Sequence, residues 1–157
     1  MSKISRKLTR RLLFQKLFIL GFTNISDEDF MASFYFDDGN LEIDKNYYQE
    51  MQEIILDKEP IFIDLIKRYA PKFDIKNMSL LYVLPIFIAS AEIFYLKEEI
   101  PIKVSLNEAI ELAKIYSDDS VKKIVNGILN NILEDYDKLN EEIKTLIPNN
   151  SYSFFHK

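Results

Sequence analysis

The chain has 157 residues, of which 48% are hydrophobic and 29% are charged, and its formal net charge is −5. It has three scattered glycines, no cysteine and a single histidine, His156. The size fits one globular domain. The counts exclude glycine-rich phosphate loops, disulfide scaffolds and cysteine–histidine zinc sites, so we expect neither a metal nor an organic cofactor.

The amino-terminal segment is basic although the whole chain is acidic. The first 26 residues contain six lysines and arginines and no acidic residue, whereas the other 131 carry 14 basic and 25 acidic residues. On a helical projection, four of the basic residues share one face: Lys3, Arg6, Lys7 and Arg10. Because unpaired charges are too costly to bury, we expect this face to project beyond the body or to form a flexible arm without acidic neighbours. Phosphates would suit it as partners, and a solvated helix end or salt bridges to the body are the alternatives.

The middle of the chain has the spacing of helices and no convincing period-two segment, so we predict an all-α fold. A short helix is predicted over Asp27–Phe36, before a turn at residues 37–40. Two further helices are predicted over Tyr47–Asp57 and Ile61–Tyr69, separated by Pro60 because a proline ring cannot continue a regular helix.

A strongly apolar segment, Met78–Ala91, follows. Its 14 residues are fewer than the roughly 20 that span a membrane, so we predict a buried central helix in a soluble, cytoplasmic protein.

Two helices are predicted in the last third. Ser105 and Glu108 fit a capping box that opens a helix running to about Tyr116. Apolar residues at steps of three and four then continue from Val121 to Leu139, with Asp118 or Asp119 available as the N-cap. We predict one helical domain over residues 1–148 and a loose tail over 149–157.

No catalytic constellation is visible in the sequence. Neighbouring carboxylates, such as Glu98 with Glu99, are adjacent in the chain and fit a solvated surface better than a shared cleft. A serine nucleophile would need His156 as its base, and a tail is a poor place for a positioned imidazole. We therefore do not expect an enzyme.

Three segments resemble the NusB-type transcription antitermination factors. Ile100–Lys114 contains proline, lysine-valine, asparagine-glutamate-alanine and leucine-alanine-lysine in the family's order, and Val125–Leu129 reads valine-asparagine-glycine-isoleucine-leucine. Arg10–Phe18 is a weaker match, in which Gln15 and Leu17 agree directly. With their surroundings, these matches cover about a third of the chain.

The resemblance implies a bundle of about seven helices in two subdomains and a non-enzymatic function. The family binds boxA RNA of ribosomal RNA leader transcripts together with a small-subunit ribosomal protein that acts as an elongation factor, within an RNA polymerase antitermination complex. The resemblance places RNA contacts at the basic start and at the late helix, and the charge pattern alone adds Lys3 and Arg11. The expected RNA-binding residues are Lys3, Arg6, Lys7, Arg10, Arg11, Ser120, Lys122 and Lys123.

The chain departs from the family pattern in the central helix. Phe87 stands where an arginine is common and Ala91 where a tyrosine is common, and Pro85 predicts a bent or repacked helix. A module that kept the fold for protein interaction and lost RNA binding is therefore an alternative. A relation to ribosomal RNA methyltransferases would require a cofactor-binding domain that this sequence does not supply.

The motif residues Asn107, Asn126 and Gly127 are expected to be structural. The asparagines would be polar links between helices. A glycine inside a helix costs about 1 kcal/mol relative to alanine. Close approach of a neighbouring helix to Gly127 would explain that cost.

Overall fold

The computed structural model describes residues 5–33, 43–148 and 152–155. Over these residues the chain forms seven α-helices, one 3-10 turn at Ile75–Asn77 and no strand, apart from an isolated bridge between Ser5 and Ile43. The all-α prediction is therefore confirmed. The helices are α1 (Arg6–Leu20), α2 (Asp27–Ala32), α3 (Lys45–Tyr69), α4 (Leu80–Tyr95), α5 (Ile102–Tyr116), α6 (Asp119–Glu134) and α7 (Tyr136–Glu142).

Helix α4 is the centre of the bundle and packs against α1, α3, α5 and α6. Almost its whole length is buried, including the proline at position 85. This confirms the predicted buried central helix. In the described part of the chain, no helix is both long enough and apolar enough to cross a membrane.

Helix α3 is one continuous helix and not the two that were predicted. Pro60 lies inside it and removes one backbone hydrogen bond. Burial on both sides of the proline, at Ile55 and at Phe62, offsets that loss. The predicted break at Pro60 is wrong because local propensity is outweighed by packing.

The start of α5 also differs from the prediction. The helix begins at Ile102, directly after Pro101, which is the N-cap residue and makes no side-chain cap hydrogen bond. Ser105 lies in the first turn, and its hydroxyl donates to the Glu92 carboxylate at 2.8 Å. The predicted capping box is therefore wrong, and Ser105 links α5 to α4.

The N-cap of α6 is Asp118, as predicted. Its side chain accepts from the backbone N–H groups of Ser120 and Val121. The apolar run that predicts one helix to Leu139 is divided at Asp135, where α6 ends and α7 begins.

The carboxy-terminal residues 152–155 pack on the body. Ser153 and the backbone N–H of Phe154 donate to the buried Glu59 carboxylate at 2.5 and 2.8 Å. Phe155 is buried, and its ring centroid lies 6.1 Å from that of Phe87 on α4. These four residues are therefore not loose as predicted, and the division at residues 148 and 149 stays a prediction.

Two glycines have opposite surroundings. A Cβ atom at Gly21 would lie 2.3 Å from Leu80 Cδ2, so any larger residue where the end of α1 meets the start of α4 would force the Leu80 side chain to move. A Cβ atom at Gly127 would meet nothing within 4 Å. The predicted close helix contact at Gly127 is therefore wrong.

The two motif asparagines do not show the predicted interhelical role either. Asn107 is exposed, and the described hydrogen bond of Asn126, from Asn130, stays within α6.

Candidate nucleic-acid interface

The basic start is folded onto the body. Ser5 caps α1 by accepting from the backbone N–H of Leu8 at 3.0 Å. The backbone N–H of Asp44 donates to Thr9, and Arg6 pairs with the Asp44 carboxylate at 3.1 Å. Helix α1 is thus pinned to the start of α3, and the expectation of a projecting or free arm is wrong for residues 5 onwards. Lys3 lies outside the described residues.

Arg10 is buried, with only 3% of its surface exposed. Its Nε and Nη2 atoms donate to the two Glu92 oxygens at 2.7 and 3.1 Å, and Tyr47 and Ser105 also donate to this carboxylate. Glu92 therefore accepts four hydrogen bonds, which fills the capacity of a carboxylate. A bidentate, fully bonded pair is the arrangement in which two buried charges are tolerated.

The pKa values in this cluster follow from its burial and charge. Desolvation opposes a charged Arg10, but the hydrogen bonds and negative charge of Glu92 outweigh it and raise the pKa of Arg10. Burial, together with the Glu92 charge, raises the pKa of the Tyr47 phenol well above its usual value. Arg10 therefore stays charged, and Glu92 engages that charge inside the protein. Its expected exposure is wrong, because its guanidinium faces Glu92 inside the protein.

Three other basic residues of α1 are more accessible, whereas Lys16 is buried and pairs with Asp27 at 2.6 Å. The Lys7 side chain is 57% exposed, and its Nζ lies 3.9 Å from Glu108, a loose pair that costs little to separate. Arg6 is half-buried beside Asp44 and lies over the Tyr47 ring at 5.2 Å. Arg11 is half-buried, and its Nε finds no hydrogen-bond partner in the described part of the chain. Lys7 and Arg11 are one turn apart and so share a face of α1.

Helix α5 runs beside α1 in the same direction. Lys7 is near Glu108 at one end, while at the other end Phe14 stacks on Tyr116 at 4.2 Å and Gln15 donates to the Tyr116 hydroxyl at 2.8 Å. The rise of α5 between these two points is about 12 Å. The paired helices form a surface, here called the α1–α5 face, that has Lys7 at one end.

The predicted residues of α6 come after the Tyr116 end of this face, because α6 follows α5 in the chain. Ser120 and Lys123 are exposed and Lys122 is half-buried. The Ser120 hydroxyl donates to Asp118 at 2.6 Å, and this bond, with the backbone donors of the cap, lowers the pKa of that carboxyl. The two predicted clusters are therefore not adjacent, and α5 separates them.

The structure adds aromatic groups that were not predicted as site residues. Phe22, just beyond α1, is 67% exposed, and its ring centroid lies 5.1 Å from that of the half-buried Phe18. Phe14, Phe18 and Phe22 recur at steps of four, which is the signal in the sequence that could have found them. No regular spacing in the sequence points to the partners of Arg10, because Glu92 and Tyr47 are 82 and 37 positions away from it.

The described residues define a helical protein in which the buried Arg10 of α1 is held in a structural ion pair with Glu92. Among residues 5–33, 43–148 and 152–155, no group of three or more histidines and carboxylates could hold a metal ion. A sequence profile of the NusB family matches residues 7–134.

Relatives agree with this match. The chain is 35% identical over 132 residues to the transcription antitermination protein NusB of Alkaliphilus oremlandii, covering 83% of this chain and 94% of that protein. It is 33% identical over 132 residues to that of Staphylococcus aureus strain RF122, covering 82% and 98%. A solved structure of T. maritima NusB superposes with a TM-score of 0.71 at 28% identity, covering 89% and 99%. The chain belongs to the NusB family of transcription antitermination proteins, which are non-enzymatic factors.

Proposed function

We propose that this protein binds boxA-type single-stranded RNA of ribosomal RNA leader transcripts. It does so together with a small-subunit ribosomal protein, and the two join the RNA polymerase antitermination complex in the cytoplasm. Family membership and the sequence motifs support the proposal. The observation that carries it is the α1–α5 face, which has the exposed Lys7 at the α1 start and is followed by Lys122 and Lys123 beyond its other end.

The residues on this surface have different proposed roles. Arg6, Lys7 and Arg11 contact phosphates at one end, and Lys122 and Lys123 do so at the other. Ser120 contributes a hydroxyl that can turn from Asp118 to the RNA. Lys3 belongs to the same cluster by its sequence position alone.

Arg10 has a supporting role in this proposal. Contact with a phosphate would require breaking its buried pair with Glu92, which would leave a carboxylate without its charge partner. Arg10 therefore holds α1 at the angle at which Lys7 and Arg11 face outward.

Phe22 is the proposed stacking residue. An exposed aromatic ring is the usual platform for an unpaired base, and such stacking is worth about 1–3 kcal/mol per base. The ring lies beyond the end of α1, on the side of the α1–α5 face away from Lys7.

Binding assays with boxA RNA test the proposal. The variant with Lys7→Ala, Arg11→Ala, Lys122→Ala and Lys123→Ala should lose at least about tenfold in affinity, because each lost phosphate contact removes favourable charge interaction and counterion release. A matched double variant, Lys138→Ala with Lys144→Ala, removes exposed lysines of α7 and the turn after it and should bind normally. Equal affinities of the two variants would remove this surface from the RNA site.

The alternative, a protein-interaction module that has lost RNA binding, rests on the unusual residues of α4. Phe87 and Ala91 are completely buried, and Pro85 is buried as well. These departures change the packing of the core and leave the outer surface unaltered. RNA binding that is absent both alone and with the ribosomal partner would favour the alternative.

A further inference from the structure

Residues 152–155, here called the strap, are held by a buried carboxylate. Glu59 on α3 is only 1% exposed, and a carboxylate at that depth needs hydrogen-bond donors. The strap supplies donors to both of its oxygens: the Ser153 hydroxyl donates to Oε1 and the Phe154 backbone N–H to Oε2. The same hydroxyl accepts from the backbone N–H of Phe155 at 3.2 Å. Ser153 is therefore the latch that joins the strap to α3.

The strap also contacts α4 and the end of α1. The rings of Phe154 and Phe155 lie 6.0 and 6.1 Å from that of Phe87 on α4, measured between centroids. A Cβ atom at Gly21 would lie 3.5 Å from the Phe154 carbonyl oxygen, so the strap backbone abuts the end of α1. Gly21 directly precedes Phe22, the proposed stacking residue. The strap thus bears on the backbone that carries Phe22.

The strap can open separately from the helices beneath it. It lies outside all seven described helices, and a short segment held by a few contacts opens at a lower free energy than the whole fold. The NusB family match ends at residue 134. Docking of the strap is therefore a feature that family membership does not account for.

We propose that the strap is a conformational device that sets the RNA affinity of the protein through Phe22, with Ser153 as a positioning residue. The docked strap supports Gly21 and so holds the Phe22 ring ready for a base. When the strap opens, the end of α1 loses that support, and ordering Phe22 on the RNA costs part of the binding free energy. This role rests on the RNA-binding function proposed above.

Hydrogen exchange of the Phe154 amide in the full chain measures strap opening without RNA. Ser153→Asp removes the hydroxyl donor and places a second carboxylate beside Glu59, so it should speed this exchange by about tenfold or more. The amide signals of Gly21 and Phe22 should shift in its NMR spectrum. Ser153→Thr keeps the hydroxyl and should restore both readings to those of the wild type.

Affinity for boxA RNA tests the coupling to Phe22. Ser153→Asp should bind about fivefold or more weakly, within the range of one lost base stack, while the salt slope keeps its wild-type value because the phosphate contacts are intact. In a Phe22→Ala background, Ser153→Asp should cause no further loss, because the two substitutions remove the same interaction. Thr145→Asp, which adds the same charge at an exposed position, should leave affinity and exchange unchanged.

The outcomes separate the strap from the RNA site. Unchanged exchange of the Phe154 amide in Ser153→Asp would overturn the latch. Faster exchange with unchanged RNA affinity, or an equal loss of affinity with and without Phe22, would show that the strap serves the fold alone. Absence of RNA binding by the wild type would contradict the proposed function and the coupling with it, whereas the exchange data would still decide whether Ser153 latches the strap.

Discussion

Arg10 and Glu92 hold the basic helix against the body through a pair buried on all sides. Replacing Glu92 by glutamine keeps an acceptor but leaves the Arg10 charge with only the more distant Glu108 carboxylate, 3.9 Å away. We expect Glu92→Gln to lower the free energy of unfolding by about 3–5 kcal/mol, measured by urea denaturation. The double variant Arg10→Met with Glu92→Leu should recover much of the loss. A loss below about 1 kcal/mol in the single variant would contradict the role of this pair.

Asp27 gives a pH-dependent prediction at the same scale. Burial opposes its charge, but hydrogen bonds from Lys16, Tyr48 and Gln52 outweigh that and lower its pKa. A carboxyl with a lowered folded-state pKa stabilises the fold above its unfolded value of about 3.9, and this contribution is lost as pH falls through the folded pKa. Urea denaturation should therefore show Asp27→Asn less stable near neutral pH, with the difference shrinking below about pH 4. A stability difference between the wild type and this variant that does not change with pH would contradict the lowered pKa of Asp27.

At the scale of elements, the carboxy-terminal residues 152–155 act as part of the core. Phe155→Ala should lower the free energy of unfolding by about 3 kcal/mol, because it empties a buried site beside Phe87. Ile147→Ala, at a position that is 89% exposed, is the matched control and should change it by less than about 0.5 kcal/mol. If thermal and urea denaturation show equal effects for the two variants, the segment does not support the fold.

The elements also show which features were predictable from sequence. The buried α4 and the Asp118 cap follow from local signals, an apolar run and a carboxylate before a helix. The continuity of α3 through Pro60 does not, since it depends on neighbours that cover both sides. The burial of Arg10 depends on Glu92, and spacing along α1 cannot report a partner that far away in the chain.

At the scale of the whole molecule, the acidic average conceals a basic region that the fold partly neutralises. Of the basic residues on α1, three have close carboxylate partners, namely Arg6, Arg10 and Lys16, whereas Lys7 has only a distant one. The sequence therefore predicted where the cationic surface lies better than it predicted which basic side chains are free to form it. The surface that we propose to meet RNA is therefore smaller than the charge pattern suggests, and the proposal adds residues of α6 to it.

The salt dependence of boxA RNA binding, measured with the ribosomal partner present, tests the proposed function most directly. The affinity of the wild-type protein should fall linearly on logarithmic axes as salt rises, with a slope of about 0.7 for each phosphate contact on a single strand. The variant lacking Lys7, Arg11, Lys122 and Lys123 should show a shallower slope, smaller by up to about 3, and the Lys138→Ala, Lys144→Ala control should keep the wild-type slope. Identical slopes for all three proteins, or no RNA binding by the wild type, would contradict the account.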